Sequence, residues 1–243
     1  MEQKESLSDT IKTVVYAIVI AMIIRSFLFE PFKIPSGSMY PSLYVGDFLF
    51  VSKYTYGYSK HSLPFSIPLF SGRIWADEPK VGDVVVFKYP QDNSTDFIKR
   101  IIGLPGDKIR VEAGRLFVNG KEIARDEKEN FVLRDEFGYA ERFHQYTETL
   151  QNGVKHPILE VSDDEVDDYF DEVTVPENSY FVMGDNRDRS DDSRLHVGFV
   201  PFENLVGKAR ILFFSYDPDE GAWYKPWTWG KKIRWSRIFN KIS

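Results

Sequence analysis

The feature that most restricts the fold of this 243-residue chain is an apolar segment near its N-terminus. Residues 13–24 contain no charged side chain, and the segment extends to Phe29 with Arg25 as its one charge. A helix needs about 20 residues to cross the hydrocarbon core of a bilayer, and an arginine near the helix end can reach the lipid headgroups. The sequence therefore predicts a single transmembrane anchor over residues 13–29, preceded by a short tail of residues 1–12.

Two other structures are compatible with this segment. An apolar helix of this length could be buried in a protein core, and a cleaved signal peptide also has a basic start followed by a short apolar run. The residues after the run, from Arg25 to Pro31, contain no small-x-small pair at which a signal peptide would be cut. The sequence thus favours an anchor that stays attached.

The composition is that of a globular protein with one large domain or two small ones. The absence of cysteine excludes disulfides, a thiolate nucleophile and cysteine-ligated metals. Basic residues number 31 and acidic residues 37, and the resulting net charge of −6 argues against a nucleic-acid partner.

The charge balance is reversed at the C-terminal end, where six basic residues and no acid follow Glu220. We expect residues 223–243 to form a basic, aromatic tail that contacts an anionic membrane surface. Packing of the tail on its own domain is the alternative. If residues 230–243 are helical, four apolar side chains share one face: Trp235, Ile238, Phe239 and Ile242.

Beyond residue 30 the pattern is typical of an antiparallel sandwich or barrel, because short β-branched and aromatic runs alternate with turns. Asn119-Gly120 predicts a type I′ hairpin and Pro105-Gly106 a type II turn. Residues 57–76 are expected to be a surface loop, and residues 125–172 a polar, acidic insertion. Strands are predicted at residues 47–51, 84–87, 115–118, 121–123, 179–183 and 209–214.

Two segments carry residues that could perform chemistry. Residues 34–43 are rich in Ser, Gly and Pro, which favours a tight loop able to present a hydroxyl beside free backbone N–H groups. Residues 96–103 place Lys99 and Arg100 within an apolar strand pattern, on opposite faces of the strand. A buried lysine without a partner loses its proton and can then act as a base. Taken alone, residues 34–43 could be an ordinary linker. Lys99 could likewise be a lysine on an edge strand, where it prevents aggregation.

A third segment, residues 184–194, is dense in acidic and basic side chains. It resembles a calcium loop only loosely, because the spacing differs and three arginines compete for the carboxylates. A Ser-His-Asp triad would lack the G-x-S-x-G motif, and His196 is the histidine that lies near this segment. We predict no metal site and keep His196 as an alternative base. The other histidines are His61, His144 and His156.

Together and in this order, the segments resemble the bacterial type I signal peptidases, which are membrane-anchored serine proteases. The resemblance covers most of residues 10–215. It implies an all-β catalytic ectodomain with a core of residues 30–107 and 174–222, and a variable β domain inserted at residues 108–173. The matching motifs are PSGSMYPSL (35–43), VGDVVVFKYP (81–90), DFIKRIIGLPGD (96–107), GRLFVNGK (114–121), VPENSYFVMGDNRDRSDDSR (175–194) and VGFVPFENLVGKA (197–209).

The same resemblance implies a role for individual residues. Ser38 is the nucleophile and Lys99 the general base, Ser190 orients the lysine amine, and Ser36 with the N–H of Ser38 forms an oxyanion hole. No cofactor or metal is needed. Four charged residues support these loops: Arg100, Asp185, Asp192 and Arg194.

The implied function is the removal of signal peptides from exported preproteins after small-x-small sites such as Ala-x-Ala. The expected partners are preprotein signal peptides, the phospholipid membrane and the nearby secretion translocon. The chain is expected to cross the bacterial inner (plasma) membrane once, with a cytoplasmic N-terminus and a periplasmic or extracytoplasmic catalytic domain.

Two alternatives from other classes remain. A self-cleaving regulator also uses a Ser–Lys pair on a β fold, but it would need a DNA-binding head where the apolar segment lies. A non-enzymatic, membrane-anchored β-domain would have no need of Ser38 and Lys99 together.

Overall fold

The computed structural model describes residues 7–63, 66–67, 69–134, 140–218 and 229–242. Two helices and fifteen strands are present in this part of the chain. The helices are α1 (Leu7–Phe27) and α2 (Trp229–Lys232). The strands are β1 (Phe29–Lys33), β2 (Asp47–Ser52), β3 (Val84–Lys88), β4 (Asp96–Gly103), β5 (Lys108–Glu112), β6 (Arg115–Val118), β7 (Lys121–Glu122), β8 (Ala124–Glu127), β9 (Phe131–Arg134), β10 (Ala140–Thr149), β11 (Lys155–Glu160), β12 (Phe170–Thr174), β13 (Ser179–Met183), β14 (Val200–Pro201) and β15 (Leu205–Ser215).

The N-terminal helix α1 is long and apolar enough to cross a membrane, and the described part of the chain buries none of its most apolar 18-residue stretch. Its 21 residues give a length of about 30 Å. The helix differs from the predicted segment 13–29 at both ends. It begins at Leu7, and it ends at Phe27 because Phe29 already pairs with Ser52 in the first sheet.

A seven-stranded antiparallel sheet positions the three candidate segments. Its strand order is β1-β2-β15-β3-β4-β13-β14. The strand β13 pairs with β4 only from Arg100 to Gly103. On that side of β4, residues 96–99 therefore have no strand partner among the described residues. This free edge lies where the sequence places Lys99.

Two smaller four-stranded sheets occupy the chain between β4 and β13. One has the order β12-β5-β6-β7, and the other has the order β11-β10-β8 with β9 paired to the first half of β10. The first of them shares a core with the large sheet, since Ile109 and Leu116 pack with Ile102 and Phe181. Strands thus fill the region predicted as an insertion, and the domain limits 108–173 stay a prediction.

The turn chemistry predicted from the sequence is confirmed. Asn119 and Gly120 have φ of 53° and 74°, as a type I′ turn requires. Gly106 has φ of 86°, and the Asp107 N–H donates to Leu104 O over 3.0 Å. The predicted all-β class with one N-terminal apolar helix is likewise confirmed.

The predicted surface loop of residues 57–76 is exposed in its second part, where Leu69 and Trp75 are 74% and 80% exposed. Its first part is buried instead, because a short 3₁₀ turn at Lys60–Ser62 buries Ser59, His61 and Ser62. The prediction was wrong for this first part alone, where the serines close a capping box that turns the histidine inward.

The C-terminal segment does not form the single helix considered above. After α2 comes a 3₁₀ turn at Trp235–Arg237, and residues 239–242 then run beside β15. Ile242 packs on the core, whereas Trp235 and Phe239 stay exposed. Residues 223–228 and Ser243 of the predicted tail lie outside the described residues.

The shared core between the sheets yields a stability prediction. Ile109→Ala should lower the free energy of unfolding by about 3 kcal/mol, because the side chain is fully buried where two sheets meet. Denaturant unfolding of the full chain in detergent measures this change. Val166→Ala, at a side chain that is 87% exposed, is the control and should change it by less than about 0.5 kcal/mol. Equal effects of both substitutions would contradict the shared core.

Candidate active site

Ser38 lies in the loop between β1 and β2, and two buried side chains hold this loop in place. Met39 and Leu43 are fully buried, and the Leu43 N–H donates to Met39 O over 2.9 Å. Gly37 is required because an added Cβ would lie 2.4 Å from the ring of Tyr40. The short Ser-, Gly- and Pro-rich sequence therefore fixes Ser38 at the wall of a cavity of about 550 Å³.

Lys99 meets Ser38 from the neighbouring strand β4. Its Nζ donates to Ser38 Oγ over 2.6 Å, and the lysine side chain is only 3% exposed. Burial lowers the pKa of Lys99 to about 8, while the carboxylates of Asp192 and Asp191 oppose this shift. The amine also lies 5.7 Å from the ring centre of Phe97. The site thus holds a lysine that loses its proton far more readily than one in water.

The segment that follows β13 closes over the loop that holds Ser38. The Asn186 N–H donates to Ser38 O over 3.1 Å, and its side chain donates to Gly37 O over 3.1 Å. At Gly184 an added Cβ would lie 2.5 Å from Ser38 O and 2.2 Å from Ser190 Oγ. Only glycine permits this approach of the two loops.

The structure places Ser190 beside the pair but without the expected bond to Lys99. Its side chain is buried, and Ser190 Oγ has no hydrogen-bond partner among the described residues. A buried hydroxyl without a hydrogen bond costs free energy, so this position favours a second polar group within hydrogen-bond distance. The amine of Lys99 or a polar group of a bound substrate could form that hydrogen bond.

Arg100, next to Lys99 on β4, is fully buried and forms a bidentate pair with Asp185. Both contacts, Nε to Oδ1 and Nη2 to Oδ2, are 2.8 Å. Burial acts to raise the pKa of Asp185, but Arg100 holds it well below its usual range. Lys99 and Arg100 are neighbours in the strand and point to opposite faces, as alternation predicts. Both side chains are nevertheless buried, so both faces of β4 are covered here.

This pair continues into a charged cluster that the sequence analysis missed. Arg187 forms a bidentate pair with Glu148, and His156 lies 3.3 Å from a carboxylate oxygen of Glu148 and of Asp185. The cluster joins β10 and β11 to the loop after β13. The charged segment 184–194 gave a signal for Arg187, but no local pattern indicated the other two residues.

A second buried pair holds the far end of the same loop. Arg194 donates through Nη2 to Asp192 Oδ2 over 2.9 Å, and the Gly184 N–H donates to that oxygen over 3.0 Å. Burial acts to raise the pKa of Asp192, but Arg194 lowers it overall. The carboxylates of Asp185 and Asp192 are both bound by arginines, which disfavours the calcium-loop alternative.

Two predicted residues face solvent. Ser36 is exposed at the edge of the same cavity, close in sequence to Ser38. The N–H of Ser38 donates to no group within the described part of the chain. His196 is exposed and lies 3.3 Å from Asp191, so its contact is not with Ser38.

Residues 7–214 match the model of a family described as signal peptidase, peptidase S26. Signal peptidase I of Rickettsia typhi is 42% identical over 93% of this chain and 90% of its own length. Signal peptidase I of Rickettsia massiliae is 40% identical over 100% and 98%. A crystal structure of a signal peptidase I from Enterococcus faecalis covers 54% of this chain and 97% of its own, with 26% identity and a TM-score of 0.33.

The chain is therefore an enzyme of the peptidase class, and it belongs to the signal peptidase family, peptidase S26. The family predicted from the motifs is confirmed. The two alternatives, a self-cleaving regulator and a non-enzymatic anchored β-domain, are not supported by these matches.

The buried Arg100–Asp185 pair yields a second stability prediction. Asp185→Asn should lower the free energy of unfolding by about 3 kcal/mol, because it removes the charge of a buried carboxylate that binds Arg100 through two hydrogen bonds. Denaturant unfolding in detergent measures the loss. Glu172→Gln, in an exposed pair with Lys108, should cost less than about 1 kcal/mol. A loss at Asp185 no greater than at Glu172 would contradict the buried pair.

Proposed function

We propose that the chain cleaves signal peptides from exported preproteins, with Ser38 as the nucleophile and Lys99 as the general base. The observation that carries this proposal is the 2.6 Å contact between a buried lysine amine and a serine hydroxyl at a cavity wall. A serine hydroxyl is a weak nucleophile until a neighbour removes its proton. Lysine can do so only when it is neutral, and burial supplies that condition.

The reaction then proceeds in two halves. Neutral Lys99 Nζ takes the proton of Ser38 Oγ while the oxygen attacks the scissile carbonyl carbon. The ammonium returns that proton to the leaving amine of the mature protein, and the signal peptide stays on Ser38 as an ester. Lys99 next takes a proton from water, whose oxygen attacks the ester, and Ser38 regains a proton as the signal peptide leaves.

The developing oxyanion is met by donors on the loop between β1 and β2 (residues 34–46), which we call the nucleophile loop. The free N–H of Ser38 and the hydroxyl of Ser36 both lie at the cavity. Donors fixed in this way stabilise the tetrahedral intermediate more than the ground state. Ser190, whose buried hydroxyl has no hydrogen-bond partner among the described residues, holds the amine of Lys99 in line once that amine is neutral.

The free edge of β4 suggests how the substrate is held. Residues 96–99 have no strand partner on one side within the described part of the chain, so an extended signal peptide can add there as a further strand. In an extended chain the first and third residues before the cut point to the same side. Phe97, Ile98 and Pro35 line the cavity with apolar atoms, which suits small side chains in a small-x-small site.

The anchor determines the side of the membrane on which the site acts. The end of α1 is fixed to the large sheet, since Arg25 pairs with Glu30, which also pairs with the buried Lys53. Signal peptides are cut on the far side of the inner membrane, so we place the catalytic sheet there and the N-terminus in the cytoplasm. Exposed Trp235 and Phe239 suit contact with the membrane surface near the translocon.

Substitution of the pair tests this function. The full chain in detergent should cut a preprotein with an Ala-x-Ala site, and Ser38→Ala and Lys99→Met should each reduce kcat/KM by about 10⁴-fold or more. Lys108→Met, the same change at an exposed lysine, is the control and should leave activity unchanged. Activity that survives Lys99→Met would mean another base, and His196 would be the first to test.

The pH dependence tests the protonation state of the base. With a pKa of about 8, roughly one fifth of Lys99 is neutral near pH 7.4, against about one in a thousand for an ordinary lysine. Because the neutral form is the active one, kcat/KM should rise with pH, reach half its maximum near pH 8 and then level off. A profile without a rising limb between about pH 6 and 9 would contradict a lysine base.

A further inference from the structure

The cavity beside Ser38 has a second wall, which the proposed binding of the signal peptide leaves unused. Its volume of about 550 Å³ is in the range of cavities that hold ligands far larger than two methyl side chains. Phe97 and Ile98 of β4 line the cavity beside Lys99, and Leu133 of β9 and Phe143 of β10 line it as well. This second wall belongs to the smaller sheet inserted between β4 and β13.

The register of β9 and β10 shows which side chains share the face turned to the cavity. Phe131 pairs with Phe143, and Leu133 pairs with Glu141. These four side chains lie on one face of the strand pair, because alternate residues point the same way. We call them the inward face. Val132, between two of them, lies on the opposite face and is 42% exposed.

The inward face is attached to the nucleophile loop and to the loop that follows β13. The ring of Phe131 lies 6.2 Å from that of Tyr40 and 6.1 Å from that of Tyr44. Glu141 pairs with Arg189 over 2.9 Å, next to Ser190. The strand pair is therefore held at a fixed position relative to Ser38, as a specificity-determining surface must be.

The direction of the bound chain decides which part of the substrate reaches this face. In the proposed function, on which this inference rests, the signal peptide occupies the free edge of residues 96–99 and the cut bond lies at Ser38. The chain beyond the cut then leaves the edge of β4. The rest of the cavity is bordered by the inward face together with Asn186 and Arg189.

We infer that the inward face of β9 and β10 binds the first residues of the mature protein. Leu133 and Phe143 form an apolar subsite for one of the first three mature side chains. Glu141 and Arg189 flank it with opposite charges. The enzyme then selects its substrates on both sides of the cut bond, with small residues before it and an apolar residue after it.

The test uses preprotein-derived peptides that share one signal segment with an Ala-x-Ala site. Each of the first three mature positions carries Ala or Leu in turn, and kcat/KM is measured with the full chain in detergent. The parent should favour Leu over Ala at one of these positions by about tenfold or more, since a single methylene in an apolar pocket is already worth about tenfold. Leu133→Ala should remove most of this preference.

The matched control is Val132→Ala, the neighbouring residue on the opposite face, which should keep the full preference. A second peptide series that varies the residue before the cut should respond equally in all three enzymes. The preference is a ratio of two rates from one preparation, so a partly unfolded variant does not alter it.

Three results would overturn the inference. They are a parent that is indifferent to all three mature positions, a preference that survives Leu133→Ala, and a variant whose altered preference lies before the cut bond. A parent that cuts none of the peptides would instead overturn the proposed function. The two failures are therefore distinguishable.

Discussion

The contact between the buried amine of Lys99 and the hydroxyl of Ser38 is the interaction on which the rest of the site depends. In water this amine would hold its proton at neutral pH and could not act as a base. Removal from water lowers its pKa to about 8, although several carboxylates near it act against the shift. The protein must therefore keep the amine dry and close to the serine at once, and both conditions come from the surrounding packing.

Much of that packing consists of buried charge pairs rather than apolar contacts. Arg100 with Asp185, Arg187 with Glu148, and Arg194 with Asp192 all lie within or against the loop after β13. Buried pairs add little net stability, but their geometry is specific and their loss is costly. They fix the position of Gly184, where a close approach brings the loop against Ser38. The sheet carries the segments of the site, and these pairs fix the position of the loop after β13 relative to Ser38.

Local sequence patterns predicted part of this structure well. The strand runs, the Asn119-Gly120 hairpin and the turn at Gly106 depend on residues next to each other, and they were confirmed. The segments holding Ser38 and Lys99 were found from composition, and their combination indicated the family. Contacts between distant residues were not predicted. Nothing local to Glu148 or His156 shows that β10 and β11 meet the loop at Asp185.

Other differences have equally physical causes. The limits of α1 differ from the apolar segment because polar residues at its start continue the helix and β1 begins at Phe29. The C-terminal apolar residues suggested one helical face, but residues 239–242 bond instead to Arg210 and Leu212 of β15, beyond the part of β15 that pairs with β3. Alternation along β4 also did not predict that Lys99 and Arg100 are both buried. Both are buried because loops and a second sheet cover both faces of β4 at this point.

The most direct test of this account is the titration of the Lys99 amine itself. Lysine labelled with ¹⁵N in the full chain in detergent gives one signal per amine, and the signal of Lys99 is assigned by its absence from Lys99→Met. The account predicts that the Lys99 amine titrates near pH 8, well below the pKa of about 10.4 of a lysine side chain in water. A Lys99 amine that titrates at the value of a lysine in water would contradict a desolvated base, whatever the activity of the enzyme.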